Sequence, residues 1–268
     1  MLQHRRRVGQ TARVDLELGP ASDLTTAERA ELFNAGYEDY VVPMHIDEAG
    51  LARMQDTLDI DLDASRVASR GGEPVGFANL AIRGDEGWVG GVGVVKSARR
   101  SGVGETLMNA IHEQARERGL QRVWLEVIVE NTGAFALYEK LGYRTTQDVE
   151  VWTLPREDGE LDGREVPAAE AKALVPPKHE PWQRADGTLA HIDSLRGLVT
   201  TNGAALFAAP ASVQLQQYAG EPEPVIRALR TLGDVFVLNL PADDPAAAVF
   251  RDLGGKLAIR QHEMVLDL

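Results

Sequence analysis

No cysteine occurs in the 268 residues, which excludes disulfides, thiolate nucleophiles and cysteine zinc sites. With no export signal in view, the cytoplasm is the expected compartment. The histidines, His4, His45, His112, His179, His191 and His262, show neither HxxxH nor HExxH spacing, so no metal is expected. No apolar run approaches the roughly 18 residues of a membrane span, and the basic opening MLQHRRRVGQ lacks the apolar stretch of a secretion signal and reads as a loose tail. Positive charge is scarce: 28 Lys and Arg stand against 41 Asp and Glu, a formal net charge of −13. That argues against general nucleic-acid binding, which needs clustered cations, and is compatible with a cationic acceptor such as an amine. Neither a nucleic acid nor a membrane is an expected partner.

What is present suits a packed globular chain, 44 % apolar and long enough for two ordinary domains. The stretch PREDGELDGREVPAAE, 155 to 170, is polar and rich in acidic residues, Gly and Pro. It reads as a linker or long surface loop dividing residues 1–155 from 156–268. Before it, strands and helices alternate. RVDLEL (13–18) reads as a strand, TTAERAELFNAGY (25–37) as a Thr-capped helix, and DEAGLARMQDTL (47–58) as a second helix. SRVASR, EPVGFANLAIR and GWVGGVGVV then form an antiparallel meander broken at GG and GDEG.

The meander runs into VVKSARRSGVGETLMNAI, where two glycines, Gly102 and Gly104, open an amphipathic helix. Bare backbone at a helix start lets an anion, usually a phosphate, reach the free N–H groups and the positive end of the dipole. The spacing fits neither GxxxxGK[ST] nor GxGxxG. RVWLEVIVE (122–130) follows as a strand, NTGAFALYEKLGY as a helix capped by Asn131 and ended by Gly142, and TTQDVEVWTL as a last strand.

A shift of 112 residues lays VWLEVIVENTGAFALYEKLG (123–142) on VFVLNLPADDPAAAVFRDLG (235–254) without a gap. Five positions are identical, and Trp124/Phe236, Asn131/Asp243 and Tyr138/Phe250 are among the conservative matches. The chain therefore reads as a duplicated strand–cap–helix–glycine unit, although any such unit shares this outline. The second copy has no R-x-x-G-x-G. Glu221, Pro222 and Glu223 stand at its helix start, where two carboxylates repel a pyrophosphate and proline removes a donor. That half is expected to be a degenerate, non-catalytic copy packed on the first.

The order of meander, Arg99-x-x-Gly102-x-Gly104 helix, LEV strand and Asn131-x-x-Ala134-x-x-Leu137-Tyr138-x-Lys140-x-Gly142-Tyr143 resembles the GNAT superfamily of N-acetyltransferases, over roughly residues 13 to 154. The resemblance implies two α/β domains, each with a central mixed, mostly antiparallel sheet flanked by helices. It implies acetyl-CoA bound between strands that splay apart near Val94 to Lys96 and Leu125 to Val129. Acetyl would pass directly to a primary amine, with a small molecule the first acceptor to expect and a protein N-terminus the second. Val94, Val95, Lys96, Arg99, Arg100, Ser101, Gly102, Val103, Gly104, Glu105, Thr106, Asn131 and Tyr138 are the implied acetyl-CoA contacts. The N–H groups would hold pyrophosphate, the arginines would add charge, and a free N–H near Val94 would stabilise an oxyanion.

Two residues are candidates for proton transfer. Tyr138 matches the family tyrosine that faces the CoA sulfur and would act as acid; a core aromatic is the other reading, since Phe250 fills the matching place. Glu126 would act as base, its pKa raised by desolvation beside Trp124 and Ile128. The LEV triplet is similar to that of the ribosomal-protein alanine N-acetyltransferases, and the other reading is a partly exposed strand residue. Tyr37, Glu38, Tyr40 and His45 are the acceptor-site candidates, a mix of carboxylate and ring faces able to hold a cation; a core tyrosine and a solvated helix end are the alternatives. The rival from another class is a non-catalytic module that senses acetyl-CoA or binds a partner. A homo-oligomer is compatible with the sequence.

Overall fold

The computed structural model describes residues 16–209 and 212–268. The basic opening and the first three residues of the 13–18 strand lie outside them. The first half runs β1 (Leu16–Pro20), α1 (Thr26–Gly36), α2 (Glu48–Leu58), β2 (Ile60–Arg70), β3 (Glu73–Arg83), β4 (Glu86–Val94), α3 (Val103–Glu117), β5 (Arg122–Ile128), α4 (Thr132–Lys140) and β6 (Arg144–Leu154). Local chemistry sets the ends. Thr25 and Glu28 form a reciprocal capping box on α1, Asp47 caps α2 through Gly50 N–H, and Asn131 caps α4 through Ala134 N–H.

The second half runs β7 (Arg164–Pro167), α5 (Ala168–Lys172), α6 (Asp186–Leu189), β8 (Leu195–Val199), β9 (Gly203–Ala208), β10 (Val213–Gly220), α7 (Pro222–Leu232), β11 (Val235–Pro241), α8 (Pro245–Asp252) and β12 (Lys256–Asp267). The stretch read as a linker is shorter than expected: β7 and the start of α5 lie inside it, because Val166 and Ala171 are buried in a small core with Leu189 and Leu206. The repeat is visible as β5–α4–β6 against β11–α8–β12. One detail of its alignment slips, since Asp244 rather than Asp243 caps α8.

The two expected sheets are one. Twelve strands run in the order β1-β2-β3-β4-β5-β12-β6-β11-β10-β9-β8-β7, antiparallel except at β4·β5 and β10·β11. The final strands are exchanged. β12 pairs with β5 from Gln261 opposite Ile128 to Asp267 opposite Arg122, while β6 pairs with β11. The cores follow the exchange: Met264 of β12 is buried among α3 and β5 residues, and Trp152 and Leu154 of β6 are buried among α7, α8 and β11 residues. Each half thus lends its last strand to the other, which removes an open edge beside β5 and another beside β11.

In the first half helices cover both faces of the sheet. Alternation sends Val123, Leu125 and Val127 toward α3 and α4. Trp124 joins the opposite-face cluster of Trp88 and Trp182. Along β3, Phe77 packs under α1 and Ala78 under α3.

Candidate functional site

β4 and β5 are paired only at their beginnings, through Glu86/Arg122, Gly87/Val123 and Trp88/Trp124. Beyond that they separate, and a cleft of about 590 Å³ opens between them, bounded by the start of α3, by α4 and by the chain after α1. A register shift between Ala78 and Leu80 of β3 marks the bulge at Gly90 and Gly91 that turns β4 away.

One end of the cleft is the start of α3. Gly102 caps it in the left-handed conformation, φ 88°, with no side-chain acceptor for the helix donors. Thr106 N–H is the first to close inside the helix, onto Gly102 O at 3.0 Å, so the preceding N–H groups are left for a ligand. The start of α3 thus presents free backbone donors where the glycine spacing placed them, and the arginine beside it is otherwise engaged. Arg99 donates from Nε to Val94 O and from Nη2 to Gly36 O and Glu38 O, tying the end of α1 to β4. Its fork is therefore turned to protein carbonyls. Lys96 is paired with Asp39 at 2.7 Å and Glu105 with Lys140 at 2.6 Å, both at the surface.

The sequence candidates divide accordingly. Val94, Arg99, Arg100, Gly102, Gly104, Glu105, Asn131 and Tyr138 line the cleft. Val95, Lys96, Ser101, Val103 and Thr106 do not: Val95 N–H donates to Val75 O, and the Ser101 hydroxyl to Ala98 O. Because Val95 faces β3, strand alternation turns Val94 N–H to the splay. Tyr37 and Tyr40 line the cleft, whereas exposed Glu38 and His45 stay outside its wall. The Tyr37 ring packs on Phe33 and Phe77. Burial and the neighbouring Tyr40 and Tyr138 push that phenol up.

Glu126 and Tyr138 meet in the same cleft. Trp88 Nε1 and Gln183 Nε2 donate to Glu126 Oε2 at 2.8 and 3.0 Å. Desolvation raises its pKa to about 7; those two hydrogen bonds hold it down, and Glu263, its cross-strand partner on β12, pushes it up. Tyr138 is raised by burial, so its phenol stays protonated throughout the neutral range. The matching Phe250 is fully buried on Trp152.

The second half's contribution was not legible from the repeat. A 3-10 turn, Trp182–Arg184, reaches across to the first half. Trp182 stacks on Trp88 with ring centroids 6.1 Å apart, donates to Leu58 O and lies under the Arg83 guanidinium. Two residues later the same turn fills the second half's own splay. β10 and β11 also pair at three positions and then part, and Arg184, 0 % exposed, bridges the gap from Nε to Gln216 O and from Nη1 to Asn239 O. At the start of α7, Glu221 and Glu223 share a depression with Glu157, Asp158, Glu160 and Asp162, where like charge disfavours a phosphate. Arg184→Ala would leave buried Glu180 paired only with Lys178 and strand two carbonyls, so unfolding in denaturant is expected to show a loss of about 3–5 kcal/mol.

Residues 30–143 match the family model for the acetyltransferase (GNAT) family. The chain is 32 % identical over 75 residues to the ribosomal protein bS18 alanine N-acetyltransferase of Escherichia coli strain K12, covering 28 % of this chain and 51 % of that protein. It is 29 % identical over 123 residues to the aminoglycoside N(6')-acetyltransferase type 1 of Salmonella typhimurium strain LT2, covering 42 % and 85 %. The chain thus spans about half the length of the first curated relatives it matches. Among solved structures, a tandem GNAT protein from the clavulanic acid biosynthesis pathway superposes with a TM-score of 0.63 at 16 % identity, over 94 % of this chain and 98 % of that one. At that identity the likeness is one of fold.

Proposed function

We propose that the chain, whose residues 30–143 match the GNAT family model, is an acetyl-CoA-dependent N-acetyltransferase whose working site is the β4/β5 cleft. The observation that carries this reading is the meeting, in one cleft, of the uncapped start of α3 with Glu126 and Tyr138. The residues present fit the co-substrate: orphan donors of a glycine-opened helix suit a pyrophosphate, and Val94 N–H faces the splay where a thioester carbonyl would lie. Acetyl-CoA, when bound, supplies the acetyl thioester.

This chain's residues do the rest. Glu126, poised near neutrality, accepts a proton from the incoming ammonium, for which a base near the working pH is suited. Tyr138 keeps its proton for the departing thiolate. Tyr37 and Tyr40 wall the cleft with ring faces that attract a cation. A small-molecule amine is the first acceptor, because a relative covered over 85 % of its length is named for an aminoglycoside. A protein N-terminus, suggested by the alanine N-acetyltransferase relative, is second.

Calorimetric titration with acetyl-CoA tests the reading. One site per chain is expected, since Arg184 and the acidic residues around α7 leave the second half no slot. A Cβ on Gly104 would meet only ordinary contacts, Leu137 at 3.7 Å and Val94 at 4.0 Å. Gly104→Glu should therefore keep the thermal midpoint while cutting affinity by about tenfold or more, the loss of roughly one charge-assisted hydrogen bond. Unchanged affinity in that variant would sink the cradle assignment.

A further inference from the structure

We infer that Gln183, carried by the second half, is a positioning residue for the Glu126 carboxylate, holding Oε2 so that Oε1 is left for the incoming amine. This rests on Glu126 being the base of the proposed reaction. The argument begins with how the turn is held. Trp182 is locked on one side by Trp88, Leu58 O and Arg83, and Arg184 on the other by the β10/β11 splay. A side chain between two such anchors has little freedom, and this one ends on Glu126 at 3.0 Å.

The orientation of the amide follows from charge. Toward the ionised carboxylate, reversing it would set Oε1 against a carboxylate oxygen, so Nε2 faces Glu126. Gln183 Oε1 is then buried without a partner. Leaving an amide oxygen unpaired opposes folding, so the placement is not explained by the glutamine's own satisfaction. It is explained by Glu126: Trp88 from β4 and Gln183 from the turn both donate to Oε2, which fixes the carboxylate plane, and among the described residues no side chain donates to Oε1.

The groups facing Glu126 set the direction of the effect. Glu263 on β12 opposes its ionisation, and Tyr138 on α4, Tyr37 and Tyr40 near α1, and Arg99 beside β4 line the same cleft. His179, on the chain leading to the turn, is engaged by Glu263. The Gln183 hydrogen bond favours the charged form, so its loss must move the titration up.

The Trp88 indole N–H touches Glu126 and reports its charge without any turnover. In the 15N-indole-labelled full chain, its resonance is expected to titrate with a midpoint near 7, and Glu126→Gln should abolish that step. Gln183→Met, which keeps the volume without the donor, should raise the midpoint by about half a unit or more. The acid limb of kcat/KM for an amine should move with it, acetyl-CoA affinity staying unchanged. Gln183→Asn, too short to reach, should act likewise and stands in if the Met variant does not fold. An unmoved midpoint in a folded variant overturns the inference while leaving Glu126 as base. A Trp88 titration that survives Glu126→Gln, or a Glu126→Gln enzyme with an unaltered pH profile, overturns the base itself and the inference with it.

Discussion

Glu126→Gln is expected to lower kcat/KM for amine acetylation by about 10²–10⁴-fold at pH 7, the usual contribution of a positioned general base. The wild-type acid limb should have its midpoint near 7, where this carboxyl titrates, and the variant should lack it. Its residual rate should climb with pH as free amine becomes abundant, toward the ordinary ammonium pKa of about 10.4. Stability should move the other way. The folded-state pKa lies above the unfolded value of about 4.5, so between those two pH values the native state binds more protons than the unfolded one. Unfolding free energy therefore falls as pH rises through that window, and the loss persists above it. Gln, which mimics the protonated form, should relieve this, giving a variant with less activity and a thermal midpoint at pH 8 no lower than wild type. A loss of both would mean that Glu126 serves packing rather than proton transfer.

The second large effect is expected from cutting the chain where its sequence divides. Residues 1–155 expressed alone should not yield a soluble monomeric domain. They lack β12, so β5 would present an open row of backbone donors and acceptors from Arg122 to Ile128 and α3 would lose buried Met264. They also retain β6, whose Trp152 and Leu154 belong to the other half's core and would be exposed. Co-expression of 1–155 with 156–268 should restore a soluble complex that binds acetyl-CoA, measured by size-exclusion chromatography and calorimetry. A well-folded 1–155 monomer of full affinity would show that the strand exchange is dispensable.

The two effects share an origin, because β12 of the second half brings Glu263 opposite Glu126 and an earlier turn of the same half brings Gln183 onto it. The second half is thus more than a packing partner: having given its own splay to Arg184, it reaches the neighbouring site through the residue next to that plug.

Much of this was legible along the chain. Thr25, Asp47 and Asn131 announced their helices because a cap is a contact within three residues. Gly102 announced the open start of α3, because the left-handed conformation it takes there belongs to glycine itself. Glu126 was legible as a carboxylate in an apolar strand, but its donors were not. Trp88 could have been suggested, since it sits on the strand parallel to β5, whereas Gln183 is 57 positions away with no periodic relation to it. Arg99 misled in part: a cation beside a phosphate-type loop invites a charge role, and the structure turns its fork to carbonyls at the end of α1.

By itself, then, the sequence determined the repeating elements, their caps and the glycine-opened helix, all of which follow from interactions within a turn or a strand period. Only the tertiary structure decided that the two sheets are one, that each half is finished by the other's last strand, that Arg184 fills one splay while the other stays open, and that Glu126 is held by a side chain from the far half. The physical reason is that strand pairing is satisfied by any partner of suitable register. Two copies of one unit carry the same local signal whether they keep their final strands or exchange them, and only closure of the whole sheet selects between the two.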